Sequence, residues 1–117
     1  MDLEYIRRFC LEKKLATESF PFGPTTLVFK VSGKIFFLTD IDSRPLRFNV
    51  KCDPEKAEML REEFSSVIPA FHMNKKHWNT IILNGQLPGK QILEMINDSY
   101  ALVIKSLPLK ERKHFFL

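Results

Sequence analysis

Thr26-Leu27-Val28-Phe29-Lys30-Val31-Ser32-Gly33-Lys34-Ile35-Phe36-Phe37-Leu38-Thr39 is the stretch that decides the fold. Two runs of β-branched and aromatic residues flank Ser32-Gly33, a pair suited to a tight turn. Residues 26–31 therefore read as one strand and residues 34–39 as its hairpin partner, nearly apolar on both faces. Hairpin-linked strands run antiparallel, so the sheet they start is antiparallel.

Downstream, a loop through Asp40, Asp42, Ser43 and Pro45 leads to a third strand at residues 46–51. It alternates cleanly: Leu46, Phe48 and Val50 face one way, and Arg47, Asn49 and Lys51 face the other. Asp53-Pro54 starts a helix, with the aspartate as N-cap and the proline in the first turn. That helix runs to about Phe64 and buries Ala57, Leu60 and Phe64. Residues 67–71 read as a short extended piece broken by Pro69, and residues 78–83 as a strand ended by the Asn84-Gly85 turn. The last long helix starts near Pro88 and runs to about Ser106, where Pro108 stops it. Its buried stripe is Ile92, Ile96, Tyr100, Val103 and Leu107. A basic tail from Lys110 to Lys113 ends in Phe115-Phe116-Leu117.

Upstream, Leu3, Ile6 and Cys10 have helical spacing over residues 2–14, with Asp2 as N-cap. Residues 15–25 contain Phe20-Pro21-Phe22-Gly23-Pro24, which forbids regular structure, and the two phenylalanines are expected to pin this loop to the core. The predicted order is α-β-β-β-α-β-β-α. Amphipathic helices then cover one face of an antiparallel sheet, giving a two-layer α+β fold in a single domain, residues 1–117.

A chain of this length buries a core without metal or disulfides. Residues 1–63 are charge-balanced, and the whole net charge of +4 comes from residue 64 onward, where seven basic residues face three acids. Such a half is compatible with nucleic acid, an anionic surface or an acidic partner. Cys10 and Cys52 lack a paired spacing and read as reduced structural thiols of a cytoplasmic protein. No signal peptide or bilayer-spanning run is visible, so no membrane partner is expected.

His72-Met73-Asn74-Lys75-Lys76-His77-Trp78-Asn79-Thr80 packs two lysines, two histidines and the single tryptophan together. It holds no nucleophile and no acid, which points to binding and not to catalysis; no catalytic residue and no cofactor is assigned. His72 and His77 lack a third and fourth ligand nearby, so no metal is expected. The Trp78 ring is expected to fill the core as its strand begins; the alternative is a stacking surface. Arg47, Asn49 and Lys51, with Thr26, Val28 and Lys30 on a neighbouring strand, would form an open, polar, basic sheet face. Its alternative is an ordinary solvated face. Adding His72, Asn74, Lys75, Lys76 and His77 gives the candidate nucleic-acid-binding set.

With those elements in place, the chain resembles the MmcQ/YjbR family of small bacterial proteins. The resemblance rests on Phe20-Pro21-Phe22-Gly23-Pro24, residues 27–31, Asn49-Val50-Lys51-Cys52-Asp53-Pro54, residues 68–80 and Asp98-Ser99-Tyr100-Ala101-Leu102-Val103. The chain departs from the family pattern at Ala70-Phe71, where a glycine-tyrosine pair is expected. The resemblance implies a fold similar to a double-wing transcription-factor domain and to bacterial secretion chaperones. Three readings follow. The first is a non-enzymatic module for double-stranded DNA, using the basic loop and open sheet face. The second is an interaction module, taking a protein partner or second copy at a strand edge or at the apolar tail. The third is a small-molecule or enzymatic pocket between residues 20–24 and 72–80.

Overall fold

The computed structural model describes residues 1–115. Helix α1 (Leu3–Leu11) is followed by strands β1 (Ala16–Ser19), β2 (Thr26–Val31), β3 (Lys34–Asp40) and β4 (Arg47–Lys51). Then come helix α2 (Pro54–Glu63), strands β5 (Val67–Pro69) and β6 (Trp78–Ile82), helix α3 (Gly89–Ser106) and the short α4 (Leu109–Arg112). A single 3-10 turn, Lys113–Phe115, closes the described chain. The strands form one antiparallel sheet in the order β1-β2-β3-β4-β6-β5, and the helices pack on one side of it. This is the two-layer α+β arrangement expected.

Local chemistry sets the boundaries. The Asp2 carboxylate accepts the Tyr5 N–H at the start of α1, and that of Asp53 accepts the Lys56 N–H at the start of α2. At the β2–β3 turn, Ser32 and Gly33 have φ of 49° and 76°, the left-handed pair a tight hairpin needs. Pro69 cannot donate to a ladder, and β5 accordingly takes the sheet edge while β6 pairs inward with β4.

The sequence reading missed one strand. Residues 16–19 were expected to be irregular, yet Ala16–Ser19 pairs with Val28–Val31 of β2. Ala-Thr-Glu-Ser carries no apolar alternation because β1 is a half-exposed edge strand, held by its neighbour and not by its own pattern. The following loop is not pinned down either: Phe20 and Phe22 are exposed.

The helix-side face of the sheet is dry. Leu27, Phe29, Val31, Phe36, Phe37, Phe48, Val50 and Ile81 are all buried there among Ile6, Cys10, Ile92, Ile96 and Val103. A β-bulge explains how two consecutive phenylalanines share that side. The β2–β3 register shifts between Phe29 and Lys30, skipping Phe36. Phe37 then stacks on Phe48 at 5.0 Å, while Phe36 meets Tyr100 of α3 edge-on at 5.2 Å. Beyond the bulge the β3–β4 ladder stops at Phe37–Val50. There the buried Ser99 hydroxyl takes over: it accepts the Lys51 N–H at 2.8 Å and donates to the Phe36 carbonyl at 2.6 Å. Tyr100 itself is half-buried, and Met95, Ser99 and Ile104 complete the covered stripe of α3.

Candidate functional site

Period-2 alternation places Arg47, Asn49 and Lys51 of β4 on the face that no helix covers, since Phe48 and Val50 between them are core. Register brings Thr80 of β6 beside Asn49 and Trp78 beside Lys51. Leu38 of β3 lies on the other flank of Asn49, and Ile68 of β5 beyond Thr80. Trp78 is therefore not a core residue. Its neighbour Asn79 takes the inward position, because its side chain is needed there as a hydrogen-bond bridge, and the indole is left half-buried on the open side.

The β5–β6 connection, residues 70–77, folds back onto this face. Met73 reaches the sheet, where its Sδ accepts Asn49 Nδ2 at 3.5 Å. Asn49 Oδ1 in turn accepts the Thr80 hydroxyl at 2.5 Å. Behind the sheet, Arg61 of α2 clamps the same connection by donating to Asn79 Oδ1 at 2.7 Å and to the Lys75 carbonyl at 3.4 Å. The Asn79 amide donates on to the Ala57 carbonyl, so the loop is tied to both layers of the fold.

The result is a cleft of about 310 Å³ walled by Arg47, Asn49, Thr80, Phe71 and His72, with Leu38, Thr39, Asp40, Ser43 and Ile68 completing it. Arg47 and His72 are exposed, as is Phe71, which is 63% accessible. The remaining candidates take different places. Lys51 lies at the other end of β4, beside Trp78. Lys75 and Lys76 are exposed on the connection, with the Lys75 ammonium 5.1 Å from the Phe71 ring centre. Asn74 is engaged within the loop, where its side chain accepts the Lys76 N–H at 3.0 Å. His77 is half-buried, and its carbonyl accepts the Cys52 N–H at 2.8 Å. Arg47, Asn49 and His72 thus meet in one cleft, whereas Lys51, Asn74, Lys75, Lys76 and His77 do not line it.

Two expectations change. Val28 faces the open side but is fully buried, so that face is not polar across β2. Asp40 places an acid in the cleft wall, so the face is not uniformly basic. No residue from 20 to 24 borders the cleft at His72. Sequence reasoning also missed Phe71, Met73, Thr80, Arg61 and Asn79. Thr80 was recoverable from its spacing to Trp78; the Arg61 clamp depends on the docking of α2 and left no local signal.

Elsewhere, a second groove of about 310 Å³ runs between α2 and α3, bordered by Cys52, Asp53, Lys56, Asp98 and Lys105. Burial pushes the Cys52 thiol up from its ordinary value, away from thiolate character at neutral pH. Its neighbour Lys56 is held by Asp98 at 2.8 Å, and that hydrogen bond raises the amine. Among the described residues no three His, Cys, Asp or Glu side chains converge as a metal set, and no helix is long and apolar enough to cross a membrane.

A family model described as YjbR matches residues 11–102. The chain belongs to the YjbR family. Among relatives, it is 33% identical over 114 residues to the uncharacterized protein YjbR of Escherichia coli K12, covering 97% of this chain and 96% of that one. It is 36% identical over 111 residues to the uncharacterized protein YbdF of Escherichia coli O157:H7, covering 94% and 90%. The crystal structure of Deinococcus radiodurans protein DR2400 superposes with a TM-score of 0.91 at 41% identity, over 96% of this chain and 86% of that one. The YjbR family thus brings the fold with it.

Proposed function

We propose that this YjbR-family protein is a non-enzymatic, cytoplasmic DNA-binding module whose footprint is the helix-free sheet face with the 70–77 connection. The observation that carries this reading is the fold-back of that connection. The Met73–Asn49 contact and the shared cleft set Arg47 and Asn49 of the sheet beside His72 of the loop. The exposed ammonium groups of Lys75 and Lys76 belong to the same connection, and Lys51 extends the charge along β4. Cations spread over a surface, with hydrogen-bonding amide and hydroxyl groups between them, suit a phosphate backbone. In this cleft the Ser43 hydroxyl donates to the Asp40 carbonyl and accepts the Arg47 N–H, an engagement with backbone and not with a base that favours binding over catalysis.

The test is fluorescence anisotropy with labelled DNA across a salt series. Each phosphate contact contributes about 0.9 to the slope of log affinity against log salt on duplex DNA. Replacing Lys75 and Lys76 together by alanine flattens the slope by about two units, and replacing Arg47 and Lys51 does the same. Absence of binding by the parent protein at low salt sinks the reading. The protein-interaction alternative keeps one specific observation in its favour: exposed Leu15, Phe20 and Phe22 flank the free edge of β1. Of the apolar tail, Phe115 is half-buried with its ring 6.4 Å from Tyr100, and Phe116-Leu117 lie outside the described residues.

A further inference from the structure

The open face carries two features that phosphate contacts alone leave unused. Phe71 stands 63% exposed on the cleft wall, although an exposed phenyl ring gains nothing from water. Trp78, half-buried, shares the open face with Lys51, its cross-strand partner. Each ring therefore sits next to a lysine: Lys75 lies 5.1 Å from the Phe71 ring centre, and Lys51 stands in register with Trp78. Ring-plus-cation pairs match a ligand that presents flat π-faces along an anionic chain.

A duplex hides those faces within its own stack, and a protein ring reaches them only by unstacking or flipping bases. Unpaired bases offer them directly. The cleft's volume of about 310 Å³ lies at the small end of ligand sites, suited to one ring-sized group. Its walls supply both donors and acceptors for a base edge through Asn49, Thr80, Ser43 and Asp40. Helices α1, α2 and α3, the kind of element that most often enters a major groove, pack on the opposite side of the sheet.

We infer that the open face takes single-stranded DNA, with one base against Phe71 in the Arg47–His72 cleft and a second against Trp78, and with Lys75 and Lys51 beside the two rings to meet the backbone. This deepens the DNA reading above and rests on it. Arg47 meets a phosphate at the cleft mouth, while Asp40 faces the base edge as an acceptor and disfavours a phosphate at that point.

Trp78 is the single tryptophan of the chain, so its fluorescence reports on this surface alone. The experiment titrates the full chain with an oligothymidine and, separately, with a blunt duplex at one fixed salt concentration. The expected result is quenching by the single strand and an affinity at least about tenfold above that for the duplex. Phe71→Ala lowers single-strand affinity about tenfold, the loss of one stacked base, and lowers duplex affinity by clearly less. Phe71→Tyr, which keeps a ring, restores it. Circular dichroism of the variants checks that exposed Phe71 is not needed for folding. Equal or tighter duplex binding overturns the inference and leaves the DNA reading standing, as does single-strand binding without quenching and indifferent to Phe71→Ala. Binding of neither form removes both.

Discussion

The two faces of one sheet are built from the same strands and do opposite things. On the helix side, β4 contributes Phe48 and Val50, both buried, and Phe48 stacks on Phe37. On the other side, the same strand contributes Arg47, Asn49 and Lys51, and β6 contributes Trp78 and Thr80. The first face is mostly apolar, its few polar groups such as Asn79 and Ser99 are hydrogen-bonded within it, and its residues answer to packing. The second keeps an arginine, an exposed ring and a histidine around a cleft, groups that packing does not require. Along β4 a step of two positions keeps a residue on its face and a step of one moves it to the other.

The largest effect belongs to the covered face. Phe37→Ala removes a ring with no exposed area, set between Phe29 and Phe48, and should cost about 3–5 kcal/mol in urea unfolding. A loss under about 1 kcal/mol would mean that the two faces are not so different.

Ser99→Ala comes next. It leaves the Lys51 N–H and the Phe36 carbonyl without their shared partner in a dry layer, an expected loss of about 2 kcal/mol by the same measurement. It probes the seam between the faces, since the Lys51 amide it holds carries one of the open-face cations.

Much of this contrast was legible in the sequence. The alternation of residues 46–51 assigns the β4 side chains to their faces, and Ser32-Gly33 fixes the hairpin from which the antiparallel sheet grows. Ala16–Ser19 was illegible because an edge strand needs no apolar pattern of its own. Trp78 was misread because a large ring at a strand start reads as core unless the register is known. That register puts Asn79 inward, where it bridges Arg61 and Ala57, a need that appears only once α2 is docked. The site was legible as a set of residue types, and its assembly was not. The Met73–Asn49 contact that closes the cleft joins residues 24 apart, and no spacing rule signals it.

Trp78→Ala sharpens the comparison from the open side. With the ring half-buried and facing away from the helices, its removal should cost less than about 2 kcal/mol, against the larger loss at Phe37. A cost matching that of Phe37→Ala would return the indole to the core. The smallest stability effect is expected at Lys75 and Lys76. Both are exposed, so changing them together to alanine should leave the unfolding free energy in urea within about 0.5 kcal/mol of the parent while flattening the salt dependence of DNA binding. A clear loss of stability there would show that the lysines serve the fold.

The division of labour between the faces is tested most directly by mapping backbone amide shifts in NMR spectra as single-stranded DNA is added. The account predicts that shifts concentrate at Arg47, Asn49, Lys51, Phe71, His72, Trp78 and Thr80, with α1 and α3 silent. Shifts centred on the helices, or along the free edge of β1 beside Phe20 and Phe22, would contradict it.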